Sequence, residues 1–229
     1  MNRIELLDNG YVQFVESWGS DQRIIESARM STNKGFEGWE KDEKLLAYLY
    51  NNKHSTPFEM AGMIIEVKAP IFVFREWHRH RTQSYNEMSA RYTPLPNENY
   101  NPELTRLMLG ANTATTNKQA QGTGKELSES DALRWQHNLK ALYAKSQIVY
   151  EQGIKLGIPK ELARLPVPVA RYSRMRASAN LRNWLAFLTL RKAANAQWEI
   201  RQYADAVGVL IANQFPRTWK LFEAERSYG

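Results

Sequence analysis

The sequence predicts an α/β (α+β) fold, in which a single domain carries a mixed β-sheet flanked by helices. Two patterns support this prediction. Residues 62–68 alternate in side-chain type with the period of two that is typical of a strand, whereas residues 131–153 and 195–214 repeat apolar positions at helical spacing. The chain has 229 residues, enough for one domain with a sizeable core, and shows no linker or internal repeat. We therefore treat residues 1–229 as one domain.

Turn residues, helix caps and apolar spacing predict the elements of the first half. Residues 8–10 form a hairpin-type turn, Ser20 suits the N-cap of a helix, and Pro70 suits the first turn of another. The resulting predictions are strands at 3–7, 11–16 and 62–68, helices at 21–30, 40–51 and 70–80, loops at 33–38 and 54–59, and extended chain at 81–92.

The second half opens with residues 93–130, which are rich in Pro, Gly and small polar residues and predict a long irregular loop. We expect this loop to be mobile without ligand, because long loops in compact domains are often lids or binding loops. Ser130 is the expected N-cap of a long helix, whose length suits central packing or a contact between subunits. The other predictions are helices at 131–153, 159–165, 180–190, 195–214 and from 216, and a strand at 169–177.

Composition limits the available chemistry. The absence of cysteine excludes disulfides, thiolate metal sites and a cysteine nucleophile. The four histidines lack the spacing of a metal site, so we expect no metal. A net charge of +7 suits nucleotides, dinucleotide cofactors and folate tails as well as nucleic acid. The N-terminus lacks signal-peptide character and no apolar run reaches membrane-spanning length, so we expect a cytoplasmic protein without membrane contact.

Residues 75–92 are the most informative stretch, because they place guanidinium groups beside aromatic, hydroxyl and amide side chains. Arginine keeps its charge and offers a fork of donors that matches pairs of phosphate or carboxylate oxygens. The stretch follows directly on the apolar residues 71–74 and so emerges from the core. We expect a site for a phosphorylated ligand with polar edges, and a solvated basic helix end is the alternative.

Three separated motifs resemble those of the flavin-dependent thymidylate synthases. Residues 79–81 (Arg-His-Arg), followed after seven residues by Ser89, are similar to the family's RHR-x7-S signature. Residues 54–59 (His-Ser-Thr-Pro-Phe-Glu) resemble its H-x-T-P-F-E segment, and Arg182 and Arg191 lie in a stretch similar to its N-x-R-x8-R segment. The resemblance runs the length of the chain and is weakest between about residues 94 and 130.

The resemblance implies a reaction. In it dUMP is methylated at carbon 5, 5,10-methylenetetrahydrofolate supplies the carbon, and FAD reduced by NADPH supplies the hydride. Because a flavin carries the redox step, the protein itself need only bind and orient the cofactor and substrates and polarise the reacting groups. The resemblance also implies a homotetramer with sites built from several subunits. Residues 117–119 (Asn-Lys-Gln) loosely resemble a further family segment.

The resemblance also implies roles for individual residues. Arg191 would face the uracil edge and stabilise negative charge when N3 loses its proton, and His54 would contact folate or NADPH. Ser89 would be a phosphate donor, because a serine nucleophile needs a base. The residues implied for FAD are Thr56, Arg79, His80, Arg81, Glu87, Asn180, Leu181 and Arg182. Those implied for dUMP are Glu76, Trp77, His78, Arg79, Glu87, Met88, Ser89, Ala90, Arg91, Arg164 and Arg191.

The sequence leaves some residue roles and two alternative functions open. Glu76 stands where some relatives carry Gln, so its contact with dUMP can differ. Ala186 stands where relatives often carry a polar residue near the flavin, so we assign no flavin contact to Ala186. Arg191 at a helix end is also favoured by the helix dipole alone. The alternatives are a nucleotide-binding flavin reductase without carbon transfer and a basic nucleic-acid-binding domain. We disfavour the second, and expect no nucleic acid, because the basic residues alternate with Glu and polar groups.

Overall fold

One open five-stranded sheet forms the frame of the computed structural model, which describes residues 2–112 and 126–227. The strands are β1 (Arg3–Leu6), β2 (Gly10–Trp18), β3 (Gly62–Pro70), β4 (Ser84–Glu87) and β5 (Tyr172–Asn180). Their order is β1-β2-β3-β5-β4, and each neighbouring pair is antiparallel. The predicted α/β class is confirmed, but the expected mixed sheet is wrong.

The burial of the central strands explains why the sheet is antiparallel. Parallel sheets are covered on both faces, and their strands read as nearly continuous apolar runs. In β3 the side chains of Met63, Ile65 and Val67 are fully buried, while the residues between them are partly exposed. β5 alternates in the same way. This alternation is typical of antiparallel strands with one covered face.

The helices start near the predicted caps, with one exception. They are α1 (Asp21–Arg29), α2 (Trp39–Asn51), α3 (Ile71–Trp77), α4 (Leu104–Asn112), α5 (Glu129–Lys155), α6 (Lys160–Ala163), α7 (Leu181–Arg191), α8 (Trp198–Gln214) and α9 (Pro216–Ser227). Ser20 caps α1 as predicted, since its side chain accepts a hydrogen bond from the N–H of Arg23 (3.1 Å). The predicted cap Ser130 is wrong. Ser128 caps α5 instead, because its hydroxyl accepts from the N–H of Asp131 (3.1 Å).

Three segments predicted as irregular or longer differ in the structure. α4 lies inside the predicted 93–130 loop, because the apolar side chains at 104–109 provide a helical face. Residues 113–125, including the family-like 117–119, lie outside the described residues. The 54–59 loop contains a 3-10 helix, Thr56–Met60. α3 ends at Trp77 rather than near residue 80.

Two helices leave the sheet in a way that brings their far ends together. α3 follows the end of β3, and α7 follows the end of β5; because these strands are antiparallel, the helices start at opposite ends of the pair. α7 has 11 residues and spans roughly 16 Å at the usual rise per residue. Its last residue, Arg191, thereby reaches the end of α3.

The core lies between the covered face of the sheet and helices α1, α7 and α8. Trp77 of α3 is fully buried, and its ring stacks on Phe187 of α7 at a centroid distance of 4.6 Å. Trp184 is also fully buried and donates its indole N–H to the carbonyl oxygen of Met63 (3.0 Å), which fastens α7 to β3. In the described part of the chain, no helix is long and apolar enough to cross a membrane.

Candidate functional site

Arg191 is held in place by two residues at the end of α3. Its Nε donates to Nε2 of His80 (2.8 Å), Nη1 donates to Oε2 of Glu76 (2.9 Å), and Nη2 donates to the carbonyl oxygen of Glu76 (2.9 Å). The Arg191 side chain is only 15% exposed. A guanidinium has five N–H groups, so these three bonds leave one on each terminal nitrogen for a ligand. We call this arrangement the Arg191 clamp.

His80 serves the Arg191 clamp as a neutral acceptor. Its Nε2 can accept from Arg191 only when that nitrogen carries no proton, so the hydrogen bond assigns the proton of the neutral ring to Nδ1. Burial and, next, the charge of Arg191 lower the pKa of His80 to about 4, against a smaller opposing effect of Glu76. The imidazole is therefore uncharged at neutral pH. Its edge packs against the ring of Phe187 (centroid distance 4.9 Å).

The turn after α3 is fixed by the buried side chain of Trp77 and the partly buried side chain of Tyr85. The hydroxyl of Tyr85 lies within hydrogen-bond distance of the carbonyl oxygens of Trp77 (3.2 Å) and His80 (2.7 Å), which satisfies the end of the helix. The indole N–H of Trp77 donates to Gln83 (3.0 Å). The side chain of Trp77 thus belongs to the core, and only its backbone is near the turn. His78 stacks on Phe74, and its buried Nε2 has no hydrogen-bond partner within the described residues.

Ser89 and Arg91 lie in a second cluster, beside α6. Nε of Arg91 pairs with Oε2 of Glu161 (3.0 Å), and the N–H of Arg91 donates to the hydroxyl of Ser89 (3.3 Å). Arg164 follows α6 directly and is exposed. Ala90, which lies between Ser89 and Arg91 in the chain, is buried. The N–H of Met88 donates to the carbonyl oxygen of Arg174 (2.8 Å). We call Ser89, Arg91 and Arg164 the phosphate cluster, because their donors suit an oxyanion.

Arg182 and Glu59 form a third cluster at the start of α7. Nη1 of Arg182 pairs with Oε1 of Glu59 (2.5 Å). The side chain of Asn180 caps α7 by accepting from the N–H of Asn183 (2.9 Å), and Leu181 is fully buried. Arg79, Arg81, Glu87 and Thr56 are exposed. Within the described residues, no hydrogen bond or ion pair joins Arg182 or Glu59 to the Arg191 clamp or to the phosphate cluster.

Comparison with known proteins explains the motifs. Residues 13–217 match the family model described as thymidylate synthase complementing protein. The chain belongs to the flavin-dependent thymidylate synthase family. The resemblance noted in the sequence is thereby confirmed. The chain is 38% identical to the flavin-dependent thymidylate synthase of Thermus thermophilus, and the alignment covers 96% of this chain and 78% of that protein. It is 36% identical to that of Pseudothermotoga lettingae over 99% of this chain and 96% of the other.

Solved structures agree with this family assignment. The chain is similar to the crystal structure of PolB from Streptomyces cacaoi, described as a UMP/dUMP methylase and bound there to 5-Br dUMP. The TM-score is 0.84 at 32% sequence identity, covering 96% of this chain and 97% of PolB. A second PolB structure, with 5-Br UMP, gives a TM-score of 0.83.

Two clefts meet at His54, and sequence patterns did not reveal either. The first, which we call the α1 cleft, has a volume of about 550 Å³ and includes Ser31, Thr32, Lys34 and Thr56. The second, which we call the α9 cleft, has a volume of about 380 Å³ and lies between α2, α7 and α9. His54 and Ser55 line both. The only sequence signal for the α1 cleft is the short polar run at residues 31–34, directly after a helix.

The α1 cleft fits the flavin that the family name implies. The hydroxyl of Thr56 and the amine of Lys34 are donors suited to ribose and phosphate oxygens. Ser31 and Thr32 donate to the carbonyl oxygens of Ala28 (2.9 Å) and Arg29 (3.0 Å), so they offer their hydroxyl oxygens to a ligand as acceptors. Arg29 at its edge is engaged by Asp42 and Glu37 and fixes the loop that carries these hydroxyls. Among the described residues, no group of three or more His, Asp or Glu side chains is arranged to hold a metal ion.

Proposed function

We propose that this chain is a flavin-dependent thymidylate synthase that methylates dUMP at carbon 5 to give dTMP. The carbon donor is 5,10-methylenetetrahydrofolate, and FAD reduced by NADPH supplies the hydride when bound. The observation that carries this proposal is the family match over residues 13–217. The lack of cysteine agrees with it, because the protein must then activate the uracil ring without a thiol. One domain spans residues 1–229, and the cytoplasm is its proposed location.

The Arg191 clamp supplies the proposed activation of the ring. Each terminal nitrogen keeps one N–H group that the bonds to Glu76 do not use, and these two groups are the proposed donors to the oxygen at the uracil edge. Fixed donors aimed at developing negative charge lower the barrier most when they need no reorganisation. The bonds to His80 and Glu76 provide that rigidity, so Arg191 is the proposed catalytic residue.

The phosphate cluster is the proposed anchor for the dUMP phosphate. Arg91 and Glu161 form an exposed ion pair, with 61% and 51% of their side chains accessible. Such pairs contribute only about 0–1 kcal/mol, so a phosphate can take the place of Glu161 at little cost. Besides Ser89, Arg91 and Arg164, the residues proposed to contact dUMP are Glu76, Trp77, His78, Arg79, Glu87, Met88 and Ala90, together with Arg191.

The flavin is proposed to lie across the α1 cleft and the start of α7. Arg79 and Arg81 are exposed on the turn after α3, where their charges suit a pyrophosphate. Asn180 uses its side-chain oxygen as a cap, which leaves its amide N–H groups as donors. The remaining proposed flavin contacts are Thr56, His80, Glu87, Leu181 and Arg182, and His54 is proposed to contact folate or NADPH.

We propose that a homotetramer completes each site, because the clusters are separate within one subunit. An exposed apolar face on α5 and α6 supports self-association. Trp135 is 51% exposed, Leu142 61% and Leu162 53%. Large exposed apolar patches commonly mark protein interfaces. Bringing two such faces together would place elements of neighbouring subunits side by side.

A dTMP-forming assay with added FAD tests the proposed function. Release of the hydrogen at carbon 5 of dUMP is expected to depend on both methylenetetrahydrofolate and NADPH. NADPH oxidation without dTMP would instead indicate the flavin reductase. UMP should be run in parallel, because PolB is described as acting on both UMP and dUMP. Salt-sensitive oligonucleotide binding without dTMP formation would indicate the nucleic-acid-binding domain.

A further inference from the structure

The turn between α3 and β4 carries the residue that holds Nε of Arg191. Residues 78–83 belong to neither a helix nor a strand, yet Nε2 of His80 accepts from Nε of Arg191 at 2.8 Å. Connecting segments are generally more mobile than the elements that they join. A fixed guanidinium on Arg191 therefore requires contacts that fix the main chain of His80.

Tyr85 on β4 supplies such a contact. Its hydroxyl lies 2.7 Å from the carbonyl oxygen of His80 and 3.2 Å from that of Trp77. A hydroxyl has one proton, and the shorter distance makes the His80 carbonyl its main acceptor. Tyr85 itself is fixed, because it pairs with Ala177 in the antiparallel ladder between β4 and β5. One hydrogen bond thus joins the sheet to the residue that receives Arg191.

Two other side-chain contacts hold later positions of the turn. The indole N–H of Trp77 donates to the side chain of Gln83 (3.0 Å), and the amide of Asn183 donates to the carbonyl oxygen of Thr82 (3.0 Å). The residues that these two bonds fix follow His80 in the chain. Tyr85 differs from them because it bonds the main chain of His80 itself.

The Tyr85 hydroxyl remains a donor at neutral pH. Burial raises the pKa of Tyr85 to about 12, and the charge of Arg191 opposes that rise. The phenol therefore lies within the electric field of the guanidinium. The ring of Tyr85 packs against that of His78 at a centroid distance of 4.8 Å. The side chain is thus held by its ring as well as by its hydroxyl.

We propose that Tyr85 is a positioning residue for the Arg191 clamp. Its hydroxyl holds the main chain of His80, so that the imidazole meets Nε of Arg191 in a single orientation. This inference rests on the proposed function, in which Arg191 activates the uracil ring. Fixed donors lower a barrier because they need no reorganisation, and Tyr85 supplies part of that rigidity through His80.

Histidine titration tests the contact without any turnover. The chain has four histidines, and the NMR signal of His80 is identified as the one that His80→Gln lacks. Burial and the charge of Arg191 lower the pKa of His80 to about 4 in the wild-type protein. In Tyr85→Phe the titration midpoint should rise by about one pH unit or more, because the ring loses its fixed place beside the cation. An unchanged midpoint overturns the proposal.

The kinetics of dTMP formation give a second test with a matched control. Tyr85→Phe keeps the ring and removes the hydroxyl. Tyr143→Phe removes the same type of bond elsewhere, because the partly buried Tyr143 on α5 donates to the carbonyl oxygen of Tyr100 (3.0 Å). Tyr85→Phe should lower kcat by about three- to tenfold, as for one lost hydrogen bond, and change dUMP KM by less than about twofold. Tyr143→Phe should leave both constants within about twofold of wild type, although it loses a similar bond. An equal loss of kcat in the two variants would overturn the proposal.

A double-mutant cycle shows whether Tyr85 acts through Arg191. Added to Arg191→Lys, in which the clamp is already lost, Tyr85→Phe should lower kcat by less than about twofold further. A loss as large as in the wild-type background would overturn the proposal, because Tyr85 would then act independently of Arg191. Absence of dTMP formation by the wild-type protein would contradict the proposed function alone, since the histidine titration decides whether Tyr85 holds His80.

Discussion

Arg191→Lys should retain the positive charge of Arg191 but abolish the clamp. A lysine ammonium is a single point, and it cannot reach Nε2 of His80, the carboxylate and the carbonyl oxygen of Glu76, and the uracil edge together. Removing one fixed donor from an oxyanion site typically lowers kcat by about 10²–10³-fold. We expect a loss in that range for Arg191→Lys, with dUMP KM changed much less, because the phosphate cluster is untouched.

The assay is steady-state dTMP formation with saturating FAD, methylenetetrahydrofolate and NADPH. FAD content and the thermal unfolding midpoint are measured on the same samples, since Glu76 and His80 lose a partner. Arg23→Lys is the control, because Arg23 is 62% exposed and, among the described residues, its side chain pairs only with Glu26 on α1. If kcat of Arg191→Lys stays within about threefold of wild type, the loss is far smaller than that expected for a missing donor, and the clamp is refuted.

Three further predictions follow from the described contacts. The pKa of His80 is lowered to about 4 from its ordinary value of 6.5, so the unfolded chain binds the proton first; the stabilisation is complete above pH 6.5 and is lost as pH falls towards 4. Urea unfolding at pH 7.5 and 5 should therefore show a larger loss for wild type than for His80→Gln, and equal losses would contradict the neutral imidazole. Ser89→Ala should raise dUMP KM by about tenfold, as for a lost hydrogen bond to a charged group, and leave measurable kcat. Complete loss of turnover with intact dUMP binding would instead indicate a covalent serine. Trp135→Asp, on the exposed face of α5, should reduce the oligomer seen by light scattering without unfolding the subunit, whereas an unchanged oligomer would exclude that face as an interface.

Local patterns predicted much of the frame, because caps and strand alternation depend on neighbouring residues. Ser20 and the β3 alternation are examples. Ser130 failed as a cap because two serines stand two positions apart, and Ser128 has Asp131 at the right spacing for a reciprocal bond. The direction of strand pairing is not a local property, which is why the expected mixed sheet is wrong.

Sequence patterns predicted less of the candidate site, because the residues that contact each other there are far apart in the chain. Glu76 and Arg191 are separated by 115 residues, and only the family motifs drew attention to both. The resemblance placed Trp77 among the dUMP residues, but its side chain is fully buried against Phe187. The α9 cleft combines residues of α2, α7 and α9 whose individual patterns predict only packing.

A crystal structure of the protein with FAD and dUMP would show whether Arg191 contacts the uracil ring. We predict that terminal nitrogens of Arg191 lie within about 3.2 Å of an oxygen at the uracil edge, a normal hydrogen-bond distance, while the bonds to His80 and Glu76 persist. The same complex should show the dUMP phosphate on Arg91 and Ser89. A uracil ring bound out of reach of Arg191 in the assembled protein would contradict the account.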